Sequence, residues 1–562
     1  MKTKFFSAFL GAAFMLFFAA SSYAAPVVTI FAGSSGAFES FGVASTVSAV
    51  CGNATNFWSQ GSTAGNGGQD ANSSPLEKGS LWIAWDGAAD GSTATHVCAY
   101  LSVDSIVGNR LYFSANGANR STLVLGGTFA NGNKVPQVPD TVATLPANII
   151  ADLNGQQITA GVSDIRPEDA QFATSRVRSS LGWGNNPVCS AFTATSAQTI
   201  AFSIAGNDPI SGSPVPTYTA LNVGAYPVMF FYNKSAVANP GDLGNLKPTD
   251  INSHNIAAIW GGLTGQTTDL GHFAPGTYPI GGGAGSIAGR PLFVLVREPI
   301  SGTYNTVNFQ AVHNSGTALD QETIFPAPVA NACAGPFPPT SPSGNPSYVT
   351  TAKGTTYARA IGTGEVVKQA GLNANALGYG FWSFSTYAGT SATLSYLTVD
   401  GVDPLETAPT GGSFPQCVGA ICPVLPLTGV VNGSYRVWNI IRVMTSPAEA
   451  AGNVGTFVSN AQNQTVAPTV HPVTDFVPFV ANGEQYLSVY RSHYSGPNLA
   501  ALGVTPVCTA TTNINTPVNG PVPPGAIGCP EGGGDMAGAV FTWGADIDAF
   551  LLSGSELINF IQ

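Results

Sequence analysis

Charge is what this chain has least of. Asp, Glu, Lys and Arg make up 9% of its 562 residues, against about 25% in an ordinary globular protein. The little charge present is unbalanced, with a formal net of −11. Such a chain does not attract nucleic acid or an acidic membrane surface through bulk charge. An anion could be held only by a local site working against the overall field.

Other absences narrow the chemistry. No Gly-Lys-Ser/Thr closes a glycine-rich loop, which excludes a phosphate-cradling P-loop. His-Glu-x-x-His and Gly-x-Ser-x-Gly are both missing. The six histidines (His96, His254, His272, His313, His471 and His493) are scattered and mostly single, as packing or surface residues are. There is no close Cys-x-x-Cys pair of the kind a zinc cluster uses. Asp546-Ile547-Asp548 offers too few spaced oxygens for a calcium loop. No enzymatic activity, metal or cofactor is expected.

Long apolar runs are confined to the start. Lys2 and Lys4 precede an apolar Phe5 to Ala20, and Ser22-Tyr23-Ala24 is a small-x-small cleavage site before Ala25. Residues 1–24 therefore read as an export signal. No later run is long enough to span a bilayer. The mature chain is expected to be soluble, without membrane insertion, and periplasmic or secreted. Losing Lys2 and Lys4 leaves it 17 basic against 30 acidic side chains.

All eight cysteines follow the signal: Cys51, Cys98, Cys189, Cys333, Cys417, Cys422, Cys508 and Cys529. An even count in an exported chain points to disulfides. Spacing favours Cys417 with Cys422 and Cys508 with Cys529, then Cys51 with Cys98. Elimination leaves Cys189 with Cys333.

What is present is apolar and glycine-rich. Hydrophobic residues are 44% of the chain, enough for substantial cores, and the length implies several domains or a two-lobed fold with insertions. Strand and helix patterns alternate. Val27 to Ala32 reads as a strand, followed by the loop Gly33-Ser34-Ser35-Gly36 and a helix from Ala37 to about Val50. Leu81 to Trp85 and Val97 to Val103 are strands. Asp104-Ser105 and Gly108-Asn109-Arg110 read as an ordinary turn, with a contribution to a binding cleft as the other reading. Ile158 to Val162 leads into Ser163-Asp164, and Pro167, Glu168 and Asp169 then suit the first turn of a helix stopping at Gly182. Tyr226 to Asn233 has the continuous apolar character of a buried strand. Pro248 to Trp260 gives a short helix ending at Gly261-Gly262. Leu377 to Phe384 is an aromatic strand.

The most distinctive stretch is Arg297-Glu298-Pro299-Ile300-Ser301-Gly302-Thr303. It follows the apolar run Pro291 to Val296 and precedes a helix expected from Tyr304 to about His313. A buried strand thus ends in one fixed cation, two hydroxyls and a glycine. Arg can hold an oxyanion through two parallel bonds, and N–H groups at a helix start attract anions. The stretch reads as an anion-gripping loop.

Taken in order, these pieces resemble the phosphate-binding proteins that serve ATP-driven phosphate importers. Gly33 to Phe38 is similar to that family's first loop, and Gly161-Val162-Ser163-Asp164 to its Ser-Asp loop. Val228 to Asn233 resembles its crossing strand, Ile259-Trp260-Gly261-Gly262 its Ile-Phe-x-Gly helix end, and Leu377-Gly378-Tyr379 its Ile-Gly-Tyr. Arg297 to Thr303 matches its Arg-x-x-x-Ser-Gly-Thr loop. The resemblance covers about half the chain. It implies an α/β, two-lobed type 2 periplasmic-binding-protein fold with insertions and a long C-terminal extension. The lobes would be 25–225 and 226–390, with 391–562 returning to the first lobe and carrying the extension.

The resemblance also implies a ligand site. Ala37 and Phe38 would meet the anion, Phe38 through its backbone N–H. Asp164 would accept a hydrogen bond from a protonated oxyanion, and Arg297, Ser301, Gly302 and Thr303 would donate. A carboxylate acceptor admits protonated phosphate and rejects sulfate. The ligand implied is a small, phosphate-like oxyanion, and the partner an ABC-type importer. Two positions depart from the family pattern: Ala37 stands where a Thr is usual, and Pro299 where an Asp usually neighbours the Arg. The alternative is a secreted structural or surface protein that keeps the fold without transport.

Overall fold

A computed structural model of the chain describes residues lying within 25–164, 218–261, 292–321 and 348–491, with shorter undescribed breaks inside those spans, and residues 540–541. The expected helix after Asp164 and the cysteines at 189, 333, 508 and 529 lie outside the described residues, as do Glu298, Pro299 and Ile300.

The main elements are β1 (Val27–Ser34), α1 (Phe38–Ser45), β2 (Asn56–Gln60), β3 (Ser80–Trp85), β4 (His96–Val103), α2 (Ser105–Phe113) and β5 (Ala160–Ser163). The long β6 (Thr219–Asn233) follows, then α3 (Ser253–Trp260), β7 (Phe293–Arg297), α4 (Gly302–Val307), β8 (Tyr348–Thr350), β9 (Thr356–Ala360) and α5 (Gly362–Leu372). The last are β10 (Ala376–Phe381), β11 (Leu394–Val399), β12 (Trp438–Thr445), α6 (Asn453–Val466) and β13 (Val477–Pro478). The fold is mixed α/β, as the alternation of patterns led one to expect.

One large sheet runs in the order β8-β9-β7-β10-β6-β12-β5-β1-β4-β3-β2, with β11 and β13 pairing β6 off that path. β6 is what joins its two halves. Residues 219–227 pair antiparallel with β12, whereas 228–232 pair antiparallel with β10. Pro227 sits at the changeover. A proline has no N–H to give a ladder, but its carbonyl still accepts from the Trp382 N–H at 2.9 Å. β11 pairs with residues 230–233, in the same half as β10.

Each half has a parallel centre. β1 runs parallel to β4 and β5, and β7 runs parallel to β9 and β10. Such strands are buried on both faces and read as continuous apolar runs, which is why β1 and β7 stood out in the sequence; the antiparallel β6 stood out because its residues 223–233 are buried as well. Ile30, Phe31, Phe230, Phe231, Val294 and Leu295 are all fully buried.

Three local readings change. Ser105–Phe113 is a helix rather than a turn. Gly108 looked like punctuation, yet its task is close packing: a Cβ there would come within 2.4 Å of the Gly33 Cα. Gly33 is itself at φ +145°, with the Val162 carbonyl where a side chain would begin. α1 ends at Ser45 instead of near Val50. Its last hydroxyls turn back onto the helix, Ser45 donating to the Gly42 carbonyl at 2.6 Å and Thr46 to Val43 at 2.8 Å, which competes with further helical turns. α4 begins at Gly302, two residues before the expected start, and residues 311–312 are helical as well.

Disulfides join Cys51 to Cys98 and Cys417 to Cys422. Both pairs are among those expected from spacing. No helix among the described residues is long and apolar enough to cross a membrane.

Candidate functional site

The parallel strands of both halves bring their carboxyl ends together. Ligands of open α/β sheets bind outside such ends. β4 runs into Asp104 and Ser105, β5 into Asp164, β7 ends at Arg297, and β9 leads through residue 361 to Thr363. These side chains form two hydrogen-bonded groups, one around Arg297 and one around Asp164.

Arg297 is the centre of the first. The guanidinium is 1% exposed and forms an ion pair with Asp104 at 2.9 Å. Its other terminal nitrogen donates to Thr363 Oγ1 at 2.8 Å and Thr303 Oγ1 at 3.3 Å. Its backbone N–H donates to the Tyr379 hydroxyl at 3.1 Å. Thr363 in turn lies 3.4 Å from the Ser35 hydroxyl in the first loop. Asp104 belongs to one half of the sheet and Arg297 to the other, so the ion pair spans them.

Asp164 is the second centre and is fully buried. Its carboxylate accepts hydrogen bonds from Ser105 and, at 3.3 Å, from Thr306. Asn439 donates to the Asp164 carbonyl at 3.2 Å and to the Thr306 hydroxyl at 3.0 Å. Burial pushes the Asp164 carboxyl up from 3.8 to about 6, against the pull of these bonds and of the Arg297 charge. The group therefore titrates close to physiological pH. Gly302 presses directly on it: a Cβ at 302 would fall 1.5 Å from Asp164 Oδ1. Only glycine lets the two halves meet this closely here.

Of the residues singled out from the sequence, Asp164, Arg297, Ser301, Gly302 and Thr303 are gathered in this one place. Ser301 and Thr303 are buried, at 1% and 2% exposure. The first loop lies alongside but is otherwise engaged. The Phe38 N–H, expected to face an anion, closes a tight turn onto the Ser35 carbonyl. The Phe38 carbonyl accepts from the Trp82 indole at 2.7 Å. Ala37 is fully buried and has no side-chain donor.

Sequence reasoning missed Thr306, Thr363 and Asn439, and it left Asp104 and Ser105 as a turn with a possible cleft role. Asp104 matters most. It comes from a strand end 193 residues before Arg297. With Asp104 paired to Arg297 and Asp164 ionised, the three groups sum to one negative charge. The Arg297 guanidinium is thus already balanced by a carboxylate of the chain itself.

No family model and no curated protein matches the chain. Among solved structures it is similar to an ABC-type phosphate transport receptor from Vibrio cholerae, at 10% identity over 44% of this chain and 68% of that one, with a TM-score of 0.24. It is similar to PstS from Borrelia burgdorferi at 12% identity, covering 44% and 68%, with a TM-score of 0.22. A human phosphate-binding apolipoprotein aligns at 13% identity over 59% of this chain and 80% of that one, with a TM-score of 0.28. The overlap is partial in every case.

Proposed function

We propose that this chain is an exported solute-binding protein that closes two lobes on a small oxyanion, phosphate-like in shape and charge, and delivers it without chemical change. One observation carries the reading: a buried Arg from one half of the sheet and a buried Asp from the other lie near each other, each hydrogen-bonded to two side-chain hydroxyls. Arg297, Ser301, Gly302 and Thr303 are the proposed donors, and Asp164 is the proposed acceptor. Ala37 and Phe38 form the proposed wall on the first-loop side. An anion stripped of water needs several donors, and an acceptor selects an oxyanion that keeps a proton. An ABC-type importer is the proposed partner.

The buried site implies that ligand enters only when the halves part. β6, which pairs with both halves, is the segment about which they would hinge. Calorimetry of the mature protein against phosphate, sulfate and related oxyanions tests the reading. Saturable phosphate binding, weakened at least tenfold by Arg297→Ala (about 1.4 kcal/mol or more), is the expected result. No heat with any oxyanion, or binding untouched by Arg297→Ala, sinks it.

A second reading is favoured by the Asp104–Arg297 pair. If the internal carboxylate is never displaced, the chain is a secreted structural or surface protein that keeps the fold without transport. Asp104 would then serve as a permanent clasp between the halves.

A further inference from the structure

A second pair of acids is buried beside the point where β6 changes partners. Glu39 on α1 and Asp475, just before β13, are both fully buried. Both belong to the half built on β1: α1 follows that strand, and β13 pairs with β6 at residues 224–225. What they hold belongs to the other half. Glu39 Oε2 accepts from the Ser385 N–H at 2.5 Å, and Asp475 Oδ1 accepts from the Phe384 N–H at 3.3 Å. Residues 384 and 385 lie just past β10, and Trp382 before them donates to the Pro227 carbonyl at the changeover. Consecutive amides of one half are thus gripped by two carboxyls of the other.

The side chains of Glu39 and Asp475 also bond each other, and Gln137 bonds Glu39. Two ionised carboxyls cannot make the first of these bonds, since each only accepts. The contact needs one proton between them. Among the described residues no cation stands in for it. α1 and α6 carry no other titratable side chain. β6 brings Tyr226, whose hydroxyl meets Ser40 at 2.9 Å, and β4 brings Tyr100, whose hydroxyl donates to the Ser34 carbonyl. Tyr387, beyond the gripped amides, donates to the Gly380 carbonyl. On the Gln137 segment Lys134 is exposed, and Asp140 accepts from Ser59 and from the backbone at 132 and 133. Burial lifts both carboxyls, Glu39 to about 7, and the Glu39 charge lifts Asp475 further.

We propose that Glu39 and Asp475 form a proton latch: their shared proton keeps the halves together, and its loss frees the 384–385 amides so that the halves part. The latch rests on the proposed two-lobed binding role and adds a regulation to it. The proton is taken from water on closing and returned on opening, so low pH favours the closed form. Its loss leaves two like charges side by side in a dry spot, which is strongly disfavoured, and parting lets water reach them. Glu39 lies four residues beyond Ser35, which meets Thr363 across the halves at 3.4 Å, so the latch bears on the first-loop side of the oxyanion site. Glu39→Gln fixes it shut. The amide oxygen keeps the bond from Ser385, and the amide N–H serves Asp475 at every pH.

The test follows the gripped amides. Hydrogen exchange of the segment 382–387 is measured in ligand-free mature protein at about pH 6 and about pH 8.5, corrected for the intrinsic pH dependence of exchange. Wild type is expected to lose protection at least tenfold at the higher pH, and Glu39→Gln and Asp475→Asn to keep it. Calorimetry with phosphate at the same pH values gives a second arm. The ratio of the wild-type Kd to that of Glu39→Gln should rise at least tenfold from the lower pH to the higher, the titration of phosphate itself cancelling in the ratio. Equal protection at both pH values in wild type, or an equal loss in the variants, overturns the latch. A flat Kd ratio overturns its link to the oxyanion site. No phosphate binding in any form overturns the proposed function instead, and amide exchange still decides whether the latch exists.

Discussion

At the scale of single residues, the account turns on Asp104 and Asp164. Asp104→Asn leaves the Arg297 guanidinium buried beside a neutral amide, and breaking a buried pair in this way costs about 3–5 kcal/mol. The variant should melt early in plain buffer, recover in millimolar phosphate and bind phosphate at least tenfold more tightly than wild type. Melting curves with and without phosphate, read beside calorimetry, check all three. Asp164 sets a pH dependence. Its carboxyl titrates near 6 when folded, against 3.8 when free, so the folded chain holds the proton that the unfolded chain gives up. The stability it contributes is present below the lower value and is lost as pH rises through the window between them. Binding follows the same titration. Ionised Asp164 repels sulfate, which has no proton to share, so sulfate should bind better as pH falls through about 6 while phosphate changes less. Asp164→Asn should bind the two anions alike at every pH. Arg297 and Ser301 to Thr303 were legible in the sequence because their pattern is local. Asp104 was not legible as the partner of Arg297, because the two meet only when strands from opposite halves of the sheet converge.

At the scale of elements, glycines decide how closely the pieces approach. Gly302→Ala would place a methyl against the Asp164 carboxylate, and the halves could no longer close fully. The expected outcome is a normal melting temperature when the lobes are apart and phosphate binding weakened at least tenfold, about 1.4 kcal/mol. A variant that binds as wild type would show that this contact is not needed for closure. The buried strands were readable as apolar runs, since both faces are covered and alternation is lost. α2 was missed for the opposite reason: Gly108-Asn109 is a turn signal by composition, but here the glycine serves packing against Gly33. The length of β6 was underestimated because only its half from residue 226 onward is strongly apolar. Its first half pairs with β12 through residues such as Asn222, whose side chain accepts from Arg442 at 3.1 Å.

At the scale of the whole molecule, two halves share one sheet and one long strand, and the site lies where their parallel strands end. Low surface charge leaves little electrostatic support, so covalent ties carry weight. The Cys51–Cys98 bond, separated by 47 residues, closes a loop whose entropy corresponds to about 4 kcal/mol. Cys417–Cys422, separated by 5 residues, closes one worth about 2 kcal/mol. Cys51→Ser with Cys98→Ser should therefore lower the denaturant midpoint about twice as far as the corresponding change at 417 and 422. The α/β class and the order of the motifs were readable in the sequence. The charge balance at the site was not, because it sums groups from three strand ends. The central claim, an oxyanion held between Arg297 and Asp164, is tested most directly by a crystal structure of the mature protein grown in phosphate. The account predicts phosphate bonded to the Arg297 guanidinium and to Asp164, with the Asp104 carboxylate turned away. A guanidinium still paired to Asp104, with phosphate absent or bound elsewhere, would contradict it.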